Sequence, residues 1–140
     1  SLESEPMNPD IIEQRKFKRF FFPNHEMIRA VFSFSDDRGL IFDSKVLNLS
    51  ELGLGLVVRK NDTNAADDLK AGDILHLKEI VGNPDLECIR EIKSESRWGV
   101  NAQWMDNIGV GCEFIDISAE LRGEIDSFIN VAEETMDNSA

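Results

Sequence analysis

From Ile28 to Phe114, apolar residues recur at alternate positions between short polar clusters. A period of two marks half-buried β-strands. Ile28, Ala30, Phe32 and Phe34 form the first such run, and Asp36-Asp37-Arg38-Gly39 supplies a hairpin turn. Leu40, Phe42 and Val46 lie on the return strand, which runs into a turn over residues 48–53. Leu54, Leu56 and Val58 make a third strand. Residues 61–72 are polar without sustained periodicity and read as a loop, with one helical turn over 65–69. Strand pattern resumes over 74–80, turns at Gly82-Asn83-Pro84-Asp85 and continues over 86–92. Trp98, Val100, Ala102 and Trp104 alternate again, and Asp106-Asn107 leads into Ile108, Val110, Cys112 and Phe114.

About seven short strands at regular spacing predict an all-β fold, a small antiparallel β-barrel of about six to seven strands. After Phe114 the period lengthens. Ser118 can cap a helix with Glu120 in its first turn, and Leu121, Ile125, Phe128, Ile129 and Ala132 then share one face. The expectation is a C-terminal α-helix over 118–133 with its apolar stripe against the barrel. Residues 1–12 and 135–140 read as flexible tails, which leaves one domain over 13–134, with a barrel at 27–116.

Composition narrows the function. A 140-residue chain with 41% hydrophobic content can bury a core of its own. No apolar run reaches the ~20 residues of a membrane helix, and the opening residues lack the pattern of a signal peptide, so the expectation is a cytoplasmic protein with no membrane insertion. Cys88 and Cys112, without CxxC spacing, read as two buried free thiols, with a disulfide between them as the alternative. A net charge of −12 disfavours a nucleic-acid partner, including a barrel that would bind a strand through residues 16–22. The charge is uneven: residues 113–140 hold eight acids and one base, whereas Arg15, Lys16, Lys18 and Arg19 place four of fifteen bases in five positions. Such a cluster suits a small anionic ligand. His25 and His76 show no metal-ligand spacing, and no Walker loop, GxGxxG or GxSxG occurs. The reading is a non-enzyme without metal or cofactor.

Two motifs carry the candidate chemistry. Arg15-x-x-x-Arg19 sets two guanidinium forks four residues apart, suited to bidentate capture of phosphate or a guanine edge. Asn48-x-Ser50-x-x-Gly53, followed by Gly55, is a turn whose side chains and backbone N–H groups either bond locally or point outward at a ligand. The motifs are expected at opposite ends of one strand pair, with an arm over 13–26 swinging the forks onto the barrel wall. Phe17, Phe20, Phe21 and Phe22 would anchor that arm. Asn48-Leu49-Ser50 also matches a glycosylation acceptor, discounted without a secretory signal.

These residues together resemble the PilZ domain family of bacterial receptors for the second messenger cyclic di-GMP. The resemblance rests on the two motifs and on three later segments. Asn101-Ala102-Gln103-Trp104 matches a strand ending in Trp, Gly109-Val110-Gly111-Cys112-Glu113-Phe114 the strand after it, and Ile117-Ser118-Ala119-Glu120 the helix start. It covers about residues 13–130. It implies a PilZ-like split barrel in which Arg15 and Arg19 clamp phosphates and guanine faces. Asn48, Ser50, Gly53 and Gly55 would contact the second guanine, with Lys16 adding a phosphate contact and Gln14 and Trp104 as secondary contributors. Asn48 stands where the family more often has Asp. The function implied is a receptor whose arm orders on binding and signals to a downstream protein partner; the alternative is a PilZ-like interaction module that does not bind nucleotide.

Overall fold

The computed structural model describes residues 18–35, 41–59, 69–100 and 106–138. The expected hairpin turn at 36–39, most of the loop over 61–72 and the alternating stretch 101–105 lie outside them, as do residues 1–17. The elements are β1 (Phe20–Phe21), β2 (Arg29–Phe34), β3 (Ile41–Leu49), β4 (Gly53–Arg59), β5 (Ile74–Val81), a 3-10 turn (Pro84–Leu86), β6 (Ile92–Val100), β7 (Asn107–Phe114) and α1 (Ala119–Asn138). Strands β3-β2-β5-β6-β7-β4 pair in that order, and β4 pairs back onto β3. Every pairing is antiparallel, so six strands close into a barrel. β1 is an extra strand on β3, with Phe20 opposite Leu49 and Phe21 opposite Asn48.

Period-two patterning explains most of the interior. Ala30, Phe32 and Phe34 of β2, Phe42 and Val46 of β3, Leu54, Leu56 and Val58 of β4 and Ile108, Val110, Cys112 and Phe114 of β7 are all buried. The Phe32 and Phe42 rings stack with centroids 5.5 Å apart. A ring this small encloses no lumen; side chains fill it. The inward positions of β6 depart from the pattern, because Ser94 and Ser96 are buried between apolar neighbours. Ser94 Oγ is the buried side-chain oxygen left without a hydrogen-bond partner among the described residues.

Two elements differ from expectation. Residues 86–92 are not a strand: Asn83 accepts a hydrogen bond from the Asp85 N–H at 2.9 Å, and Pro84 stands at the start of a 3-10 turn. Leu86, Ile89 and Ile92 are buried at a spacing of three, which only a turned backbone places on one side. The strand begins at Ile92 instead. The helix runs past the expected end at 133, through Asn138. Its start is as expected, the Leu121 N–H donating to Ser118 Oγ at 3.0 Å.

The stripe of α1 covers β1 and its surroundings. Ile125 and Ile129 are buried, and the Phe128 ring meets those of Phe20 and Phe22 at 6.2 Å each. Among the described residues no helix is long and apolar enough to cross a membrane. Truncating Ile129→Ala should cost about 2–5 kcal/mol in urea denaturation, since it empties the helix–barrel seam. Ser94→Ala, which removes an unpaired buried hydroxyl, should leave stability unchanged or raise it by up to ~1 kcal/mol in the same assay.

Candidate functional site

Strand register sets the site. Across β1, β3, β4, β7 and β6, one row of partners reads Phe21, Asn48, Gly55, Gly111, Trp98. Directly paired residues of antiparallel strands share a face, and exposed Phe21 and Trp98 mark this row as the outer one. Two β-bulges put it there. In β3, Val46 opposes Leu56 and Asn48 opposes Gly55, so Leu47 is the extra residue. Asn48 is thereby turned to the outer wall, and Leu49 returns inward opposite Leu54. In β6, Ser96 opposes Cys112 and Trp98 opposes Gly111, so Arg97 is extra and joins Trp98 on the outer wall. Unbulged strands would have sent Asn48 and Trp98 into the core.

Glycines make the floor. A Cβ on Gly55 would lie 2.4 Å from Asn48 Nδ2, and one on Gly111 would lie 2.1 Å from Trp98 Nε1. The Asn48 amide and the Trp98 indole therefore lie directly on backbone. Gly53 is equally tight, since its Cβ would stand 1.9 Å from the Cys112 carbonyl oxygen.

Arg19 precedes β1, and the pairing of β1 with the end of β3 carries it onto Asn48. Its Nη1 donates to Asn48 Oδ1 at 2.6 Å. Arg19 of the first motif thus meets Asn48 of the second at one corner, not at the opposite end of a strand pair. Lys18 reaches away from the corner, its Nζ donating to Asn130 Oδ1 at 3.0 Å and standing 3.4 Å from Glu133. Beside Arg19 opens a cavity of about 230 Å³, lined by Leu52, Gly53, Leu54, Arg97, Trp98, Gly111, Cys112 and Glu113.

Of the expected site residues, the structure brings Arg19, Asn48, Gly53 and Gly55 together. Ser50 is buried, and its hydroxyl accepts the Leu52 N–H at 3.1 Å while its N–H donates to the Gly53 carbonyl at 2.9 Å. It shapes the turn and does not line the cavity. Gln14, Arg15, Lys16 and Trp104 lie outside the described residues. Arg97 and Trp98 were not expected. Trp98 is 53% exposed, and Arg97 Nη1 stands 3.2 Å from Glu113 and 3.6 Å from Glu95. Alternation runs in phase from Ile92 through Ser94 and Ser96 to Trp98, so the sequence carries no signal of the bulge that turns Trp98 outward.

Residues 13–130 match the profile of the PilZ domain. The chain belongs to the PilZ domain family. Solved PilZ structures share its fold. The PilZ domain of YcgR from Escherichia coli with c-di-GMP is 13% identical, with a TM-score of 0.66 over 90% of this chain and 96% of that one. The K. pneumoniae MrkH–c-di-GMP complex is 12% identical, with a TM-score of 0.69 over 90% of this chain and 55% of MrkH. A longer YcgR chain in complex with c-di-GMP, at 10% identity and TM-score 0.63, is covered to 49%. The PilZ chain therefore spans about half the length of MrkH and of that longer YcgR. No curated protein sequence matches it.

Cys112 lies under this PilZ floor, and burial pushes its thiol up to about 12. Cys88, expected to be buried, is exposed; partial burial and the neighbouring Glu124 carboxylate raise its thiol as well. Both thiols are free. An unfolded chain releases the Cys112 proton from about pH 9, whereas the folded chain holds it to about 12. This thiol therefore makes stability fall as pH rises between those values. A thiol reagent such as Ellman's at pH 8 should titrate one cysteine in the native protein, Cys88, and two in denaturant.

Proposed function

We propose that this PilZ domain binds cyclic di-GMP at the corner where Arg19 meets Asn48. The observation that supports it most is the 2.6 Å bond between these two motif residues beside a glycine-floored cavity. A guanidinium carries five donors. Asn48 engages one, and a phosphate or guanine edge can take others. The family assignment, and a fold shared with two proteins solved with c-di-GMP, support the same ligand.

In this reading Arg15 and Lys16 add cationic groups from the arm over 13–26, while Asn48 and the backbone at Gly53 and Gly55 meet a base on the wall. Ser50 contributes by holding the turn. Gln14 and Trp104 remain secondary. The arm orders on binding and changes the surface offered to a downstream protein partner in the cytoplasm. The protein acts as a receptor and performs no catalysis. Charge-assisted hydrogen bonds contribute on the order of 1.5–3 kcal/mol each. A few of them, set against the cost of ordering arm and ligand, leave binding of about −8 kcal/mol, the micromolar range.

Arg19→Ala should weaken cyclic di-GMP binding about tenfold or more in calorimetry, the scale of one charge-assisted contact. Cyclic di-GMP should also raise the Tm of the wild-type protein, because a ligand of the native state must stabilise it. No rise at millimolar ligand would favour a PilZ module that docks a protein without nucleotide.

A further inference from the structure

The cavity beside Arg19 has a second charged wall that neither motif supplies, made of consecutive residues 97 and 98 on β6. We propose that Trp98 and Arg97 form the other half of the ligand site, Trp98 as a stacking platform for a purine and Arg97 as a reserve fork for an anionic group. The proposal rests on the cyclic di-GMP reading and extends it to two residues outside the motifs.

Three observations carry it. The bulge at Arg97 places two successive side chains on the same outer wall, where an unbulged strand would send them to opposite faces. The indole of Trp98 lies flat enough on Gly111 that no Cβ fits beneath it, yet more than half of the residue is exposed. The indole is thus backed by the Gly111 main chain while it lines the cavity and stays half exposed. An aromatic ring supported in this way stacks a base without needing to order first. Arg97, finally, is held by carboxylates at partly exposed positions, 3.2 Å from Glu113 and 3.6 Å from Glu95. Ion pairs in water are weak, so a ligand phosphate can displace a carboxylate from this fork at small cost.

Glu113 lines the same cavity. It stands in for the ligand's anion when the site is empty and opposes that anion when it arrives. The sign of its effect therefore separates a reserve fork from a merely structural ion pair. Glu113→Gln should tighten cyclic di-GMP binding about two- to fivefold, by removing both the competitor for Arg97 and a like charge. Arg97→Ala should weaken binding about fivefold, with Arg97→Lys intermediate because an ammonium keeps the charge and loses the fork. Trp98→Ala should weaken it about tenfold, the scale of one base–aromatic stack.

Calorimetric titration of the wild type and these four variants, with the Tm of each unliganded protein measured alongside, is the test. Tryptophan fluorescence adds a readout that folding alone does not move. Wild-type emission should be quenched by cyclic di-GMP, and Trp98→Phe, which retains a ring and leaves Trp104 in place, should abolish most of the quench. Wild-type affinity in both Arg97→Ala and Trp98→Ala, or an undiminished quench in Trp98→Phe, would overturn the second wall while leaving the Arg19 site standing. Failure of the wild type to bind at all would overturn both.

Discussion

Closure of the ring through the β3–β4 pairing is the constraint on which the rest depends. β3 takes part in three pairings, with β2 along its first half, β4 along its second, and β1 at its last two residues. A ring without open edges has no strand free to pair with another chain, and its twist must be accommodated within a short circumference. Bulges at three pairings, β2–β5, β3–β4 and β6–β7, do so. Two of these three flank the same outer depression. The irregularity that lets six strands close is also what turns Asn48 and Trp98 away from the core.

The extra strand serves the site through one pairing. Three successive residues of the entering chain reach three different parts of the molecule: Lys18 bonds to Asn130 on the helix, Arg19 to Asn48 at the corner, and Phe20 packs in the core against Phe22 and Phe128. Buried Phe20 fixes the position of Arg19 to within one peptide unit. The geometry at the corner is thus inherited from aromatic packing, and the polar contact is made by a residue whose backbone has little freedom left.

Much of the fold was legible because burial and strand period agree in β2, β4, β7 and the first half of β3. Phe32, Leu56 and Val110 stand where alternation places them, and Ser118 caps the helix where the 3.6-residue stripe begins. What was not legible has a common cause. A bulge shifts the phase of a period-two pattern by one residue, and no residue type announces it, so alternation put Trp98 on the apolar face while the bulge sets it on the outer wall. Ser94 and Ser96 hid the inward side of β6 because hydroxyls in a core do not read as core. The turn at Gly82–Asp85 was legible, but the turned course of residues 86–91 was obscured by apolar residues three apart, a spacing that fits neither strand nor long helix. The motifs were readable through their chemistry, whereas the contact of Arg19 with Asn48 depends on a two-residue strand, too short to leave a pattern.

Gly55 and Gly111 face each other across β4 and β7, with Gly53 one outward position along. The main chain they expose is covered directly by the Asn48 amide over Gly55 and the Trp98 indole over Gly111, which only glycine permits. In the proposed reading, discrimination among ligands falls to a rim of side chains drawn from Arg19, Asn48 and β6. None of these is needed to fill the barrel, so selectivity in this scaffold can drift by rim substitution while the folded frame beneath stays constant.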